Sequence, residues 1–125
     1  MTNIDPWAMT GWLIYRYFPE AMALDRQDFV QVNDFVALMR STGFQDVQVR
    51  RDDLSKQRSL GEFLNFAAKR HRASQLMAIS DHAYAAGIRR LQDALASPRG
   101  QELVVRSEFV LVTIVGDKAS ARTAA

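Results

Sequence analysis

The sequence predicts an α/β fold, rich in helix through its middle, with two antiparallel strands over about 44–51 and 107–115. Three observations carry this reading. Apolar residues recur with helical period from Val32 to Leu95, Val47 and Val49 alternate with Gln48 and Arg50, and Phe109 to Val115 is apolar on both faces of a strand.

Trp7 to Leu24 reads as helix in two pieces divided near Pro19, because proline disfavours the α conformation in the residue before it and suits the first position of a new helix. Val32 to Ser41 is the next helix. Val32, Phe35, Val36 and Met39 fall at i, i+3, i+4 and i+7, and Gly43 stands where a left-handed cap is wanted. Phe44 to Arg51 follows as a strand, with Val47 and Val49 on one face.

Ser59 and Glu62 have capping-box spacing ahead of Leu60, Phe63, Leu64 and Ala67, which predicts a helix to about Arg70. A short turn of helix follows around Gln75 to Ile79. Ser80 and Asp81 then cap a long helix to about Ala96, striped by Tyr84, Ile88, Leu91 and Leu95 and stopped by Pro98 and Gly100.

Phe109 to Val115 closes the inventory with Phe109, Leu111 and Val115 on one face and Val110, Val112 and Ile114 on the other. Such a strand belongs inside a covered sheet. An isolated two-stranded pair is marginal in water, so a second copy or a partner chain is expected to complete the sheet through this strand. Residues 1–118 form one domain on this reading, and 119–125, small or polar, form a flexible tail.

Composition describes one globular domain of 125 residues, 48% hydrophobic and 24% charged. The absence of cysteine excludes disulfides, thiolate metal sites and cysteine nucleophiles together. No apolar run could span a bilayer, and Asp5 stands where a signal peptide would be basic and then apolar, so a cytoplasmic location is expected. The net charge of +2 hides an asymmetry: residues 1–46 carry −3 and residues 50–72 carry +4.

Most motifs that carry chemistry are absent from the sequence. The six glycines stand alone at 11, 43, 61, 87, 100 and 116, and no phosphate-cradling, zinc-protease or nucleophile-elbow motif occurs. His71 and His82 have no carboxylate at ligand spacing, so no metal is expected. Asp52 and Asp53 stand beside Arg50 and Arg51 and read as solvated charge pairs. The basic stretch Arg50 to Arg72 lacks interleaved aromatics and reads as a solvated face, not a nucleic-acid surface. The run Trp7, Trp12, Tyr15, Tyr17 and Phe18 differs in kind. Core packing, a ligand wall and a subunit contact are all open to it.

The order of these features resembles the C-terminal portion of class I S-adenosylmethionine-dependent methyltransferases of the UbiE-like, type 11-like kind. Gly11 to Phe29 (GWLIYRYFPEAMALDRQDF) looks like the stretch after the fifth strand that covers the substrate side. Val32 to Val49 (VNDFVALMRSTGFQDVQV) looks like the late helix, the GF turn of Gly43 and Phe44, and the sixth strand. Ser74 to Lys118, with SDHAYAAGIRRLQDAL and then SEFVLVTIVGDK, looks like a helical insertion followed by the antiparallel seventh strand.

The resemblance implies a fragment of a Rossmann-like fold in which the seventh strand lies between the fifth and sixth, with helices on both faces. It implies methyl transfer from S-adenosylmethionine to a small molecule. The family's glycine-rich loop and the acidic residue ending its second strand match nothing here, strands one to five have no expected counterpart, and no cofactor-binding residue is assigned. This chain alone is therefore expected to be inactive and not to bind the cofactor.

What the resemblance leaves to this chain is the substrate wall: Trp12, Tyr15, Tyr17 and Phe18 as apolar and π surface, and Arg16 to orient an anionic group. No residue is assigned as a general base. The partner is a second copy or a cofactor-binding chain. The alternative from another class is a non-catalytic dimeric module that binds a small ligand or regulates.

Overall fold

The computed structural model describes residues 1–118. The chain is mixed α and β, and its elements run β1 (Thr2–Ile4), α1 (Leu13–Tyr17), α2 (Pro19–Asp28), α3 (Val32–Ser41), β2 (Phe44–Ser59), α4 (Leu60–Ala67), α5 (Ser74–Ala78), α6 (Asp81–Ala96) and β3 (Val104–Lys118). Single 3₁₀ turns at Arg70–Arg72 and Gly100–Glu102 link the later helices and lead into β3. The sheet is antiparallel with the order β1-β3-β2, so the final strand is central.

Local signals set most boundaries. Pro19 opens α2 directly after Phe18. The Ser59 and Ser80 hydroxyls accept the backbone N–H groups of Glu62 and Ala83, each at 3.1 Å, and so start α4 and α6. Gly43 ends α3 with φ +101°, a conformation that glycine adopts without a Cβ clash. The helix expected to reach Arg70 stops at Ala67, after which the chain tightens into a 3₁₀ turn.

The strands depart from expectation in three ways. β2 runs through Asp52, Asp53 and Leu54 to Ser59, well past Arg51, and β3 reaches from Val104 to Lys118, so Lys118 is strand. Nearly every residue of β2 from Gln48 to Gln57 is exposed, on both faces, which removes the apolar alternation that would betray a strand. A bulge between Gln45 and Gln48, with Asp46 at φ +50°, shifts its register against β3. β1 is a third strand, too short to show a period. It pairs Thr2 with Thr113 and Ile4 with Leu111. The tail expected at 119–125 lies outside the described residues.

The core gathers on one face of β3. Val110, Val112 and Ile114 are buried there together with Met9, Leu13, Phe18, Leu60, Phe63, Leu76 and Leu91. Burial of both faces, the expectation for this strand, is corrected: Phe109 and Leu111 are half-exposed and Val115 is 56% exposed. The buried side is that of Val110, Val112 and Ile114; on the other side the Trp12 ring packs on Phe109 and leaves it half-exposed. Both edges of β3 are also occupied within the chain, by β2 on one side and by β1, Asp5 and Gly11 on the other. Among the described residues, no strand pairs with the outer edge of β2.

Candidate functional site

The site is built where the chain leaves β1 and returns to β3. Asp5 donates its N–H to the Val110 carbonyl at 3.1 Å, and its carboxylate accepts the Trp7 N–H at 3.2 Å, turning the chain away from the sheet. The return is fixed by Glu108 N–H on the Gly11 carbonyl and by Leu13 N–H on Ser107 Oγ. Trp12 lies between these two contacts. Its ring meets Phe109 at 5.2 Å and Tyr15 at 4.9 Å, both edge-on.

One side of Trp12 opens on a cleft of about 250 Å³ over β2 and β3. Trp12, Phe109 and Leu54 form its apolar part, and Lys56, Arg58 and Ser107 its polar part. Register explains the division: Leu54 is paired with Phe109, and Lys56 with Ser107, two residues along the same strands and on the same face. The Arg58 guanidinium lies over the Phe63 and Phe66 rings at 5.6 and 5.3 Å, which fixes its position beside the cleft.

Of the five residues expected in a substrate wall, Trp12 alone lines this cleft. Phe18 is fully buried and stacks on Tyr84 at 5.9 Å, a core role. Tyr17 is half-buried against Phe63 at 6.1 Å, and its carbonyl accepts from Arg90. Arg16 is exposed in the last turn of α1. Tyr15 is buried and donates its hydroxyl to Asp25 at 2.5 Å. Leu54, Lys56, Arg58, Ser107 and Phe109 are the residues that sequence reasoning passed over for this place. Their signal is the continuation of β2 beyond Asp53, and the charges on that strand conceal it.

The Tyr15–Asp25 pair gives the core a pH-sensitive contact. Burial pushes the Asp25 carboxyl above its usual range, against the hydrogen bond from Tyr15 and the pull of Gln75. Burial likewise holds the Tyr15 phenol above the ordinary tyrosine range, reinforced by Asp25. Between the unfolded carboxylate value of about 4 and the raised folded value, the folded chain keeps a proton that the unfolded chain releases. This part of the stability is therefore complete below about pH 4 and is lost as pH rises through the folded value. Urea unfolding across pH 3–8 is expected to show a decline that Asp25→Asn flattens; parallel profiles for the two proteins would refute it.

Other candidates resolve into structural roles. Arg50–Asp52 and Arg51–Asp53 are exposed ion pairs at 3.2 and 2.9 Å. His71 and His82 are exposed, and among the described residues no three His, Cys, Asp or Glu side chains gather as a metal site. A second cleft, of about 180 Å³, lies between the start of β1 and the link from α2 to α3, with Phe29, Phe35 and Ile114 as walls and Asp28 as its one charged side chain. No helix among the described residues is long and apolar enough to cross a membrane.

Among the described residues no strand leads into a glycine-rich loop that could cradle S-adenosylmethionine. A cradle for it needs a glycine loop leaving a strand, but β2 passes directly into α4 through Ser59, and the glycine after β1, Gly11, faces Glu108, whose carboxylate oxygen would lie 2.8 Å from a Cβ there. No protein-family model, curated protein or solved structure matches this chain.

Proposed function

We propose that this chain is the substrate-side section of a class I methyltransferase fold, acting on a small organic molecule, with S-adenosylmethionine held by residues outside it. The supporting observation is the strand order. β3 runs antiparallel between β1 and β2, which is the place the resemblance gives to the seventh strand, between the fifth and the sixth. β1 then takes the fifth position. The connection that leaves its carboxyl end carries Trp12, and ligands of open α/β sheets collect beyond such ends.

The part of this chain in methyl transfer is to hold the acceptor at near-attack distance and to keep water from it. Trp12 and Phe109 provide that surface. The absence of cysteine suits a reducing, cytoplasmic setting. The outer edge of β2, unpaired among the described residues, favours a second reading, a homodimeric binding or regulatory module without catalysis.

The test starts from the coding sequence upstream of Met1. An in-frame or adjacent segment with a strand, a glycine-rich loop and an acid ending the next strand is expected. Co-produced with this chain, it should bind S-adenosylmethionine at micromolar concentration in calorimetry, while this chain alone gives no heat. Micromolar binding by this chain alone, or none by the pair, overturns the proposal. A stable dimer in light scattering, with no such segment upstream, selects the second reading.

A further inference from the structure

We infer that the cleft beside Trp12 binds a small aromatic carboxylate, its ring on Trp12 and Phe109 and its anionic end on Lys56 and Arg58. This deepens the substrate-side reading and rests on it for a biological role. The binding itself requires neither the cofactor nor another chain.

The cleft's polar end is cationic. The two aspartates that precede Leu54 on β2 do not line the cleft and are paired with arginines, Asp52 with Arg50 at 3.2 Å and Asp53 with Arg51 at 2.9 Å. Among the described residues no carboxylate lies within ion-pair distance of Lys56 or Arg58. The cleft therefore carries two cations, and Arg58 is held in place by the rings beneath it. A guanidinium so fixed loses little freedom on taking up a carboxylate.

Spacing points the same way. The Leu54–Phe109 rung and the Lys56–Ser107 rung are two residues apart, which at the usual strand rise is about 7 Å. That separation suits a ring joined to a carboxylate through a short chain. Ser107 Oγ already accepts the Leu13 N–H at 3.2 Å, so its own proton is directed elsewhere and can be donated to an anion. A volume of about 250 Å³ is below the range of about 300–1,000 Å³ that takes drug-sized ligands, which favours a single ring.

The test uses 3-phenylpropionate and its neutral amide, 3-phenylpropionamide, with the ¹⁵N-labelled chain in NMR titrations. Saturable shifts are expected at the Trp12 indole and at the Leu54 and Ser107 amides, with the amide binding at least tenfold more weakly than the acid. Lys56→Gln should weaken the acid about threefold and leave the amide unchanged. Adding Arg58→Gln should raise the loss to tenfold or more, and Phe109→Ala should weaken both ligands. Because Arg58→Gln disturbs the contacts with Phe63 and Phe66, the exposed Lys56 variant keeps the test independent of folding. Equal affinity for acid and amide, an unchanged Kd in Lys56→Gln, or shifts centred on Phe35 would each overturn the inference. A negative result leaves the strand-order argument for the methyltransferase reading intact, and failure to find a cofactor-binding segment leaves this binding result intact.

Discussion

Replacing Gly87 by valine is expected to destabilise the fold by about 3 kcal/mol, at the upper end of the usual cost of overfilling a packed core. A Cβ at position 87 would come within 2.2 Å of two ring carbons of Phe18. That ring cannot yield easily: it is fully buried and stacked on Tyr84. In a helix interior glycine itself costs about 1 kcal/mol relative to alanine, so the close approach of α6 to Phe18 is what makes glycine the fitting residue here. Thermal unfolding should show a drop in Tm of about 10 °C. Gly61→Ala in α4 is the matching control, because nothing lies within 4 Å of the added carbon; it should be neutral or stabilise by up to about 1 kcal/mol. In a Phe18→Leu background the valine should cost less, since the two positions share one space. Equal effects at Gly87 and Gly61 would refute this account of the contact.

Arg70→Ala is expected to cost about 2–3 kcal/mol, the range for hydrogen bonds that involve a charged group. Arg70 donates to the Leu76 carbonyl at 2.7 Å and to the Ile79 carbonyl at 2.5 Å. These carbonyls lie in and just after α5, a helix of five residues that has no side-chain cap at its start. The same guanidinium lies over Tyr84 at 4.7 Å and meets Asp81 at 2.6 Å. One side chain thus joins α5 to the beginning of α6. Lysine should rescue little, because a single ammonium cannot present the planar fork that reaches both carbonyls. Asp81→Asn should change stability by less than about 0.5 kcal/mol, because that carboxylate is 97% exposed. Urea unfolding of the three variants checks this, and a cost at Asp81 equal to that at Arg70 would show that the ion pair, not the carbonyl contacts, does the holding.

Features encoded within a few residues were legible in the sequence. Ser59, Ser80, Pro19 and Gly43 each act on their own turn, and each stands where its chemistry is needed. Features that depend on distant packing were not. β2 is exposed along most of its length and carries charges on both faces, so its last eight residues show no strand pattern. The apolar run of β3 suggested two covered faces, whereas half of those side chains lie on the less covered side. The aromatic run divides for a similar reason. Tyr15 and Phe18 are three residues apart and turn inward together, while Trp12 precedes α1 and is left at the sheet margin. The cleft was not legible because Leu54, Lys56 and Arg58 belong to a strand segment whose charges conceal its period.

The central position of β3 has a consequence for how the chain acquires its structure. Thr2 and Thr113 share a rung although 111 residues separate them, and every ladder in the sheet includes β3. During synthesis β1 and β2 emerge first and have no strand to pair with, whereas α4, α5 and α6 can associate through near neighbours. No ladder of the sheet can therefore form until residues 104–118 arrive. Final assembly is then a late, long-range closure, and β2, with its alternating runs of positive and negative charge, is well suited to wait in water without aggregating.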